Sequence, residues 1–163
     1  MQRRPFLLAA VMATSILSAL AGPAGAAQVD VKHTLDIESN NGRVLVHLTV
    51  YNYGKQTIWI PREIAEGKEL TGRRFDVRAF DNRPLDYTGK MVKRAAYTAA
   101  DYQAVEPGKT LASTIDITPS YAFKPGRHTY NIGYAGPFLA DLKQLDKQAD
   151  SPAKPTTFAH TGK

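Results

Sequence analysis

Apolar and polar residues alternate strictly from Val29 to Glu38. Val29, Val31, His33, Leu35 and Ile37 fall on one parity, and Asp30, Lys32, Thr34, Asp36 and Glu38 on the other. A two-residue period places alternate side chains on opposite faces of a strand. Ser39-Asn40-Asn41-Gly42 then supplies turn residues, with Asn-Gly suited to positive φ. Arg43 to Asn52 follows with Val44, Val46, Leu48 and Val50 on one face. The pair predicts a β-hairpin.

The same alternation continues in shorter pieces. Thr57 to Ile60 predicts a third strand ended by Pro61, with Trp59 compatible with a core position. Arg62 to Gly72 is charged and predicts a long loop with at most one helical turn. Glu63, Glu66 and Glu69 within it are expected on the surface. Phe75, Val77 and Ala79 mark another strand, Asp81-Asn82 a turn, and Leu85 to Tyr87 a return. Glu106-Pro107-Gly108-Lys109 suits a type II turn, and Leu111, Ile115 and Ile117 alternate after it. Lys124-Pro125-Gly126-Arg127 repeats the Pro-Gly turn, and His128, Tyr130, Ile132 and Tyr134 predict the inward face of a final strand.

About seven short strands with no long amphipathic helix predict an all-β, immunoglobulin-like antiparallel sandwich over residues 27–136, with a closed barrel as the alternative. Beyond it, Leu139, Leu142 and Leu145 recur every three residues after Pro137, which predicts a short helix over 137–147. Residues 148–163 are polar and carry two prolines, and are expected to form a disordered tail.

The N-terminus changes what the chain is for. Arg3 and Arg4 precede an apolar run from Phe6 to Leu20, and Ala24-Gly25-Ala26 has small residues where a signal peptidase reads. Residues 1–26 are therefore expected to be a signal peptide cleaved at Ala26, giving an exported chain, periplasmic or extracellular. The apolar run is shorter than the roughly 20 residues of a spanning helix. Removing 1–26 takes away two arginines, so the formal charge of +6 becomes +4. The surplus sits between Lys55 and Arg94, which hold ten Lys/Arg and six Asp/Glu. That balance describes a mildly basic face and gives no expectation of nucleic acid as partner.

Candidate chemistry is sparse. With no cysteine, thiol nucleophiles, thiolate zinc sites and blue-copper centres are excluded. No serine sits in a Gly-x-Ser-x-Gly elbow, and no His-Glu-x-x-His occurs. His33 and His128 share inward parity, so a two-histidine metal site stands as the alternative to two core histidines satisfied locally. The expectation is a non-enzyme with no cofactor.

The least regular stretch is YTGKMVKRAAYTAADY, Tyr87 to Tyr102. Thr98-Ala99-Ala100-Asp101 resembles a capping box with Asp in place of Glu. Met91 and Val92 are expected to plug the end of the sandwich, which would leave Lys93 and Arg94 outside on a long inter-strand loop. Met91, Lys93, Arg94, Tyr97 and Tyr102 are the candidate partner-binding residues. The alternative is an ordinary crossover whose basic pair stays solvated.

The segments LTVYNYGKQTIWI, FDVRAFDNRPLDYTGKMVKRAAYTAADY, VEPGKTLASTIDIT and AFKPGRHTYNIGY together resemble the N-terminal domain of bacterial peptidyl-Lys metalloendopeptidases, relatives of deuterolysin. Tyr-Thr-Gly-x-Met-Val-Lys-Arg-Ala is the most specific element of the resemblance, which covers roughly Val29 to Tyr134. It implies an immunoglobulin-like accessory or pro domain that in the family precedes a zinc protease domain. No residues here match that protease domain, and Tyr97 stands where the family often has proline. The resemblance implies a binding module that inhibits, chaperones or localises a lysine-specific zinc metalloprotease, with Lys93 as a substrate mimic. A structural or adhesive envelope domain, holding another periplasmic or surface protein, is the alternative.

Overall fold

The computed structural model describes residues 30–67, 69–93 and 96–163. The expected signal peptide with its Ala26 cleavage position, and the candidate Arg94, lie outside them.

Strands β1 (Val31–Asn40) and β2 (Arg43–Asn52) form the expected hairpin, paired antiparallel from Val31↔Asn52 to Asn40↔Arg43. Asn41 and Gly42 close it with φ of 49° and 74°, the two positive values that match the twist of a two-residue turn to its strands. Val44, Val46, Leu48 and Val50 are all fully buried, as their parity requires. β3 (Ile58–Pro61) leads directly into α1 (Arg62–Ala65), a single helical turn. β4 (Phe75–Ala79) ends in a turn at Asn82, and β5 (Tyr102–Val105) follows the irregular stretch. β6 (Thr110–Asp116) and β7 (Gly126–Tyr134) form as expected, whereas Leu85–Tyr87 returns without a strand, holding only an isolated bridge from Tyr87 to Tyr121.

Three antiparallel sheets result, and the described residues show no closed barrel. One is ordered β1-β2-β6. The others are completed by β8 (Pro137–Leu139), β9 (Gln148–Asp150) and β10 (Thr156–Gly162), in the orders β10-β7-β4 and β5-β3-β8-β9. Among the described residues the expected all-β sandwich is thus built from ten strands rather than about seven. Its core is continuous from Val46 and Leu48 through Ile58, Ile60, Phe75 and Val77 to Tyr130 and Ile132.

The C-terminal expectations need correction. Residues 137–147 contain no helix. Pro137–Leu139 is a strand that buries Phe138 and Leu139, with Leu139 paired to Trp59. Leu142 and Leu145 lie on two successive tight turns, closed by Gln144 N–H to Asp141 O at 3.0 Å and Lys147 N–H to Gln144 O at 2.9 Å. The Asp141 carboxylate also accepts from Lys143 N–H at 2.9 Å. Such local side-chain bonds compete with helix, whose nucleation is unfavourable in so short a segment.

Residues 148–163 are not a disordered tail. β10 pairs with β7 from Thr156↔Ile132 to Gly162↔Gly126, and it inserts Phe158 and His160 among Phe123 and Tyr130. Few apolar residues suffice when they alternate on one face and the backbone is satisfied by a neighbouring ladder.

Trp59 is also corrected. It is only half-buried, because its parity opposes that of Ile58 and Ile60, which are fully buried.

Candidate functional site

The irregular stretch leaves the sandwich at Tyr87 and returns at Tyr102. Thr98 and Asp101 form the capping box that the sequence suggests, with Thr98 N–H donating to the Asp101 carboxylate at 2.8 Å around a 3₁₀ turn over Ala99–Asp101. The other local expectation fails. Met91 and Val92 do not plug the sandwich; they are 77% and 43% exposed. Val92 N–H donates to Thr71 O at 3.0 Å, which ties the stretch to the segment before β4, where Leu70 is fully buried. Lys93 is exposed beside Met91.

Tyr97 and Tyr102 come together, with ring centroids 6.1 Å apart, Tyr97 40% exposed and Tyr102 buried. Beneath them lies a cluster that sequence reasoning missed. Glu63, expected on the surface, is nearly buried and ion-paired with Arg74 Nε. Its other carboxylate oxygen accepts from Thr71 N–H at 3.3 Å and from the Thr71 hydroxyl. Arg74 Nη2 donates to the Tyr97 hydroxyl at 3.0 Å. Burial pushes the Arg74 guanidinium down, but the Tyr97 bond and the Glu63 charge outweigh it and hold it above its ordinary value. The cluster joins α1, the approach to β4 and the candidate binding stretch. Glu63 and Arg74 are eleven positions apart in different elements, so no periodicity signals the pair.

Two cavities flank Tyr97. One, of about 190 Å³, runs beside Glu69, Thr71 and Asp101. The other, of about 200 Å³, lies between Pro61, Tyr102, Pro137 and the Arg73–Arg74 pair.

His33 and His128 are not brought together. His33 is buried edge-on against Tyr134, centroids 5.6 Å apart. His128 is exposed at the far end of the same strand, where its Nε2 lies 2.8 Å from Pro125 O. Tyr134 and His128 are six residues apart along β7, about 20 Å at the strand rise, too far for one ion. Parity does not bury His128, although it stands opposite the buried His160 of β10. Among the described residues, no three His, Cys, Asp or Glu side chains are grouped to hold a metal ion. Burial lowers the His33 pKa to about 4, opposed in part by the Ser151 backbone. No helix among the described residues is long and apolar enough to cross a membrane.

No family model matches the chain. Two solved structures resemble it weakly. A Northeast Structural Genomics Consortium target is 13% identical, with TM-score 0.41, covering 80% of this chain and 83% of that one. The yjhA protein from Bacillus subtilis is 15% identical, with TM-score 0.32, covering 83% and 87%. By sequence, the chain is 31% identical over 142 residues, 87% of its length, to an extracellular protease of Aeromonas hydrophila, and it spans 40% of that protein. Over most of its own length, then, this chain is similar to part of an extracellular protease, a match that fits a protease-associated domain.

Proposed function

We propose that this chain is an exported, non-catalytic binding module that engages a protease through the stretch between Tyr87 and Tyr102. The observation that carries the reading is the match of 87% of this chain to 40% of an extracellular protease. The stretch supports it physically. Met91, Val92 and Lys93 stand exposed together, and large exposed apolar side chains grouped beside a charge mark contact surfaces. The Thr71 bond to Val92 and the Arg74 bond to Tyr97 hold both ends of this segment, which lowers the ordering cost of binding. Lys93 is the residue we assign to a lysine-recognising pocket, where the module acts as a substrate mimic that inhibits or chaperones the enzyme. The test is to mix the purified protein with a lysine-specific metalloprotease and measure both association and residual peptidase activity. Saturable association that slows peptide hydrolysis supports the reading, and neither effect at micromolar concentration overturns it.

A further inference from the structure

The cavity bordered by Tyr97 and Tyr102 is lined by two arginines, Arg73 and Arg74, and among the described residues by no acidic one. Arg74 is committed to Glu63 and Tyr97. Arg73 is not comparably held. Its Nη2 lies 3.3 Å from Asp76 Oδ1, whereas Arg78 Nε donates to the other oxygen of the same carboxylate at 2.7 Å. Two arginines thus share one carboxylate, and Asp76 keeps the closer partner if Arg73 turns away. Arg73 is 43% exposed, so its turning needs no rearrangement of the core.

We infer that this cavity is a docking site for an acidic side chain presented by an extended segment of a partner polypeptide, with Arg73 as the charge that receives it. Its volume of about 200 Å³ is below the roughly 300–1,000 Å³ of sites that enclose a whole small molecule. It has room for one side chain delivered from outside. Pro61, Pro137 and the three tyrosines Tyr97, Tyr102 and Tyr134 supply a largely apolar wall for the stem of a glutamate, and the planar fork of an arginine matches its carboxylate. Tyr97 borders the cavity and lies four residues from Lys93 in sequence, so the cavity adjoins the stretch assigned to binding. The inference rests on the binding-module reading and adds the chemistry of the partner: an acidic residue near the segment that meets Lys93.

The test is a nuclear magnetic resonance titration of the purified protein with two capped peptides, Ac-Ala-Ala-Glu-Ala-Ala-NH2 and its Gln counterpart, and with sodium acetate. The glutamate peptide is expected to shift the Arg73 side-chain N–H and the Tyr97 and Tyr102 rings saturably, below about 10 mM, and at least about tenfold more tightly than the Gln peptide. Arg73→Gln should abolish that preference and Arg73→Lys should retain part of it. Equal response to the two peptides, no saturable shift, an unchanged preference in Arg73→Gln, or acetate binding as tightly as the peptide would each overturn the inference. Association of Arg73→Gln with the protease separates the two proposals. Undiminished association removes the acidic-segment contact and leaves the binding module standing. A peptide response without any protease association overturns the protease-binding reading and leaves the site for an acidic side chain standing.

Discussion

The guanidinium of Arg74 donates to the hydroxyl of Tyr97 at 3.0 Å while its Nε pairs with the nearly buried carboxylate of Glu63. One arginine therefore joins the core side of α1 to the stretch assigned to binding. Tyr97→Phe removes only the outer bond. It should lower stability by about 1 kcal/mol and speed amide exchange at Val92 and Thr98. Glu63→Gln leaves Arg74 without its ion partner and should cost about 3 kcal/mol. Chemical denaturation of both variants checks the order, and equal losses would contradict it.

His33 couples folding to pH. Its pKa is about 4 in the folded protein against 6.5 for a free histidine, so between those values the unfolded chain binds more protons. Stability is then fully present above pH 6.5 and falls as the pH drops towards 4, by up to about 3 kcal/mol. His33→Phe keeps an aromatic ring against Tyr134 and removes the proton site. Denaturation midpoints measured from pH 7 to pH 4 should slope less in the variant by that amount.

Tyr134 buries its hydroxyl without a hydrogen-bond partner among the described residues, and burial holds the hydroxyl well above its ordinary pKa. An unsatisfied buried polar group costs on the order of 1 kcal/mol or more. Tyr134→Phe should therefore raise thermal stability, by about 1 kcal/mol. A lower melting temperature in that variant would show that the hydroxyl has a partner.

The last strand can be tested in the same way. Phe158 is buried against Phe123 and Tyr130, so Phe158→Ala should cost about 3 kcal/mol. A disordered segment would register no change on denaturation.

Those tests mark where sequence and structure part company. The hairpin of β1 and β2 was legible because a single period of two runs through twenty residues and Asn-Gly supplies a specific turn. The Thr98–Asp101 box was legible because capping is local chemistry. The C-terminal strands were not, because β10 carries only Phe158 as a large apolar residue and owes its order to a partner strand twenty-four or more positions earlier. Met91 and Val92 read as core by type, yet both are exposed while Leu70 is fully buried. Of the candidate contact residues, the sequence marked Tyr97 and Tyr102. It gave no sign of Glu63 and Arg74 beneath them, since an ion pair between two elements leaves no period.

The central claim is that the exposed stretch engages a protease through Lys93, and a binding isotherm addresses it most directly. Titrating a lysine-specific metalloprotease with the purified protein and with Lys93→Ala compares the two dissociation constants. Saturable binding at micromolar concentration or tighter is expected, weakened at least about tenfold, some 1.4 kcal/mol, by removing the lysine side chain. Equal affinity of Lys93→Ala and the parent, or no binding by the parent, would contradict it.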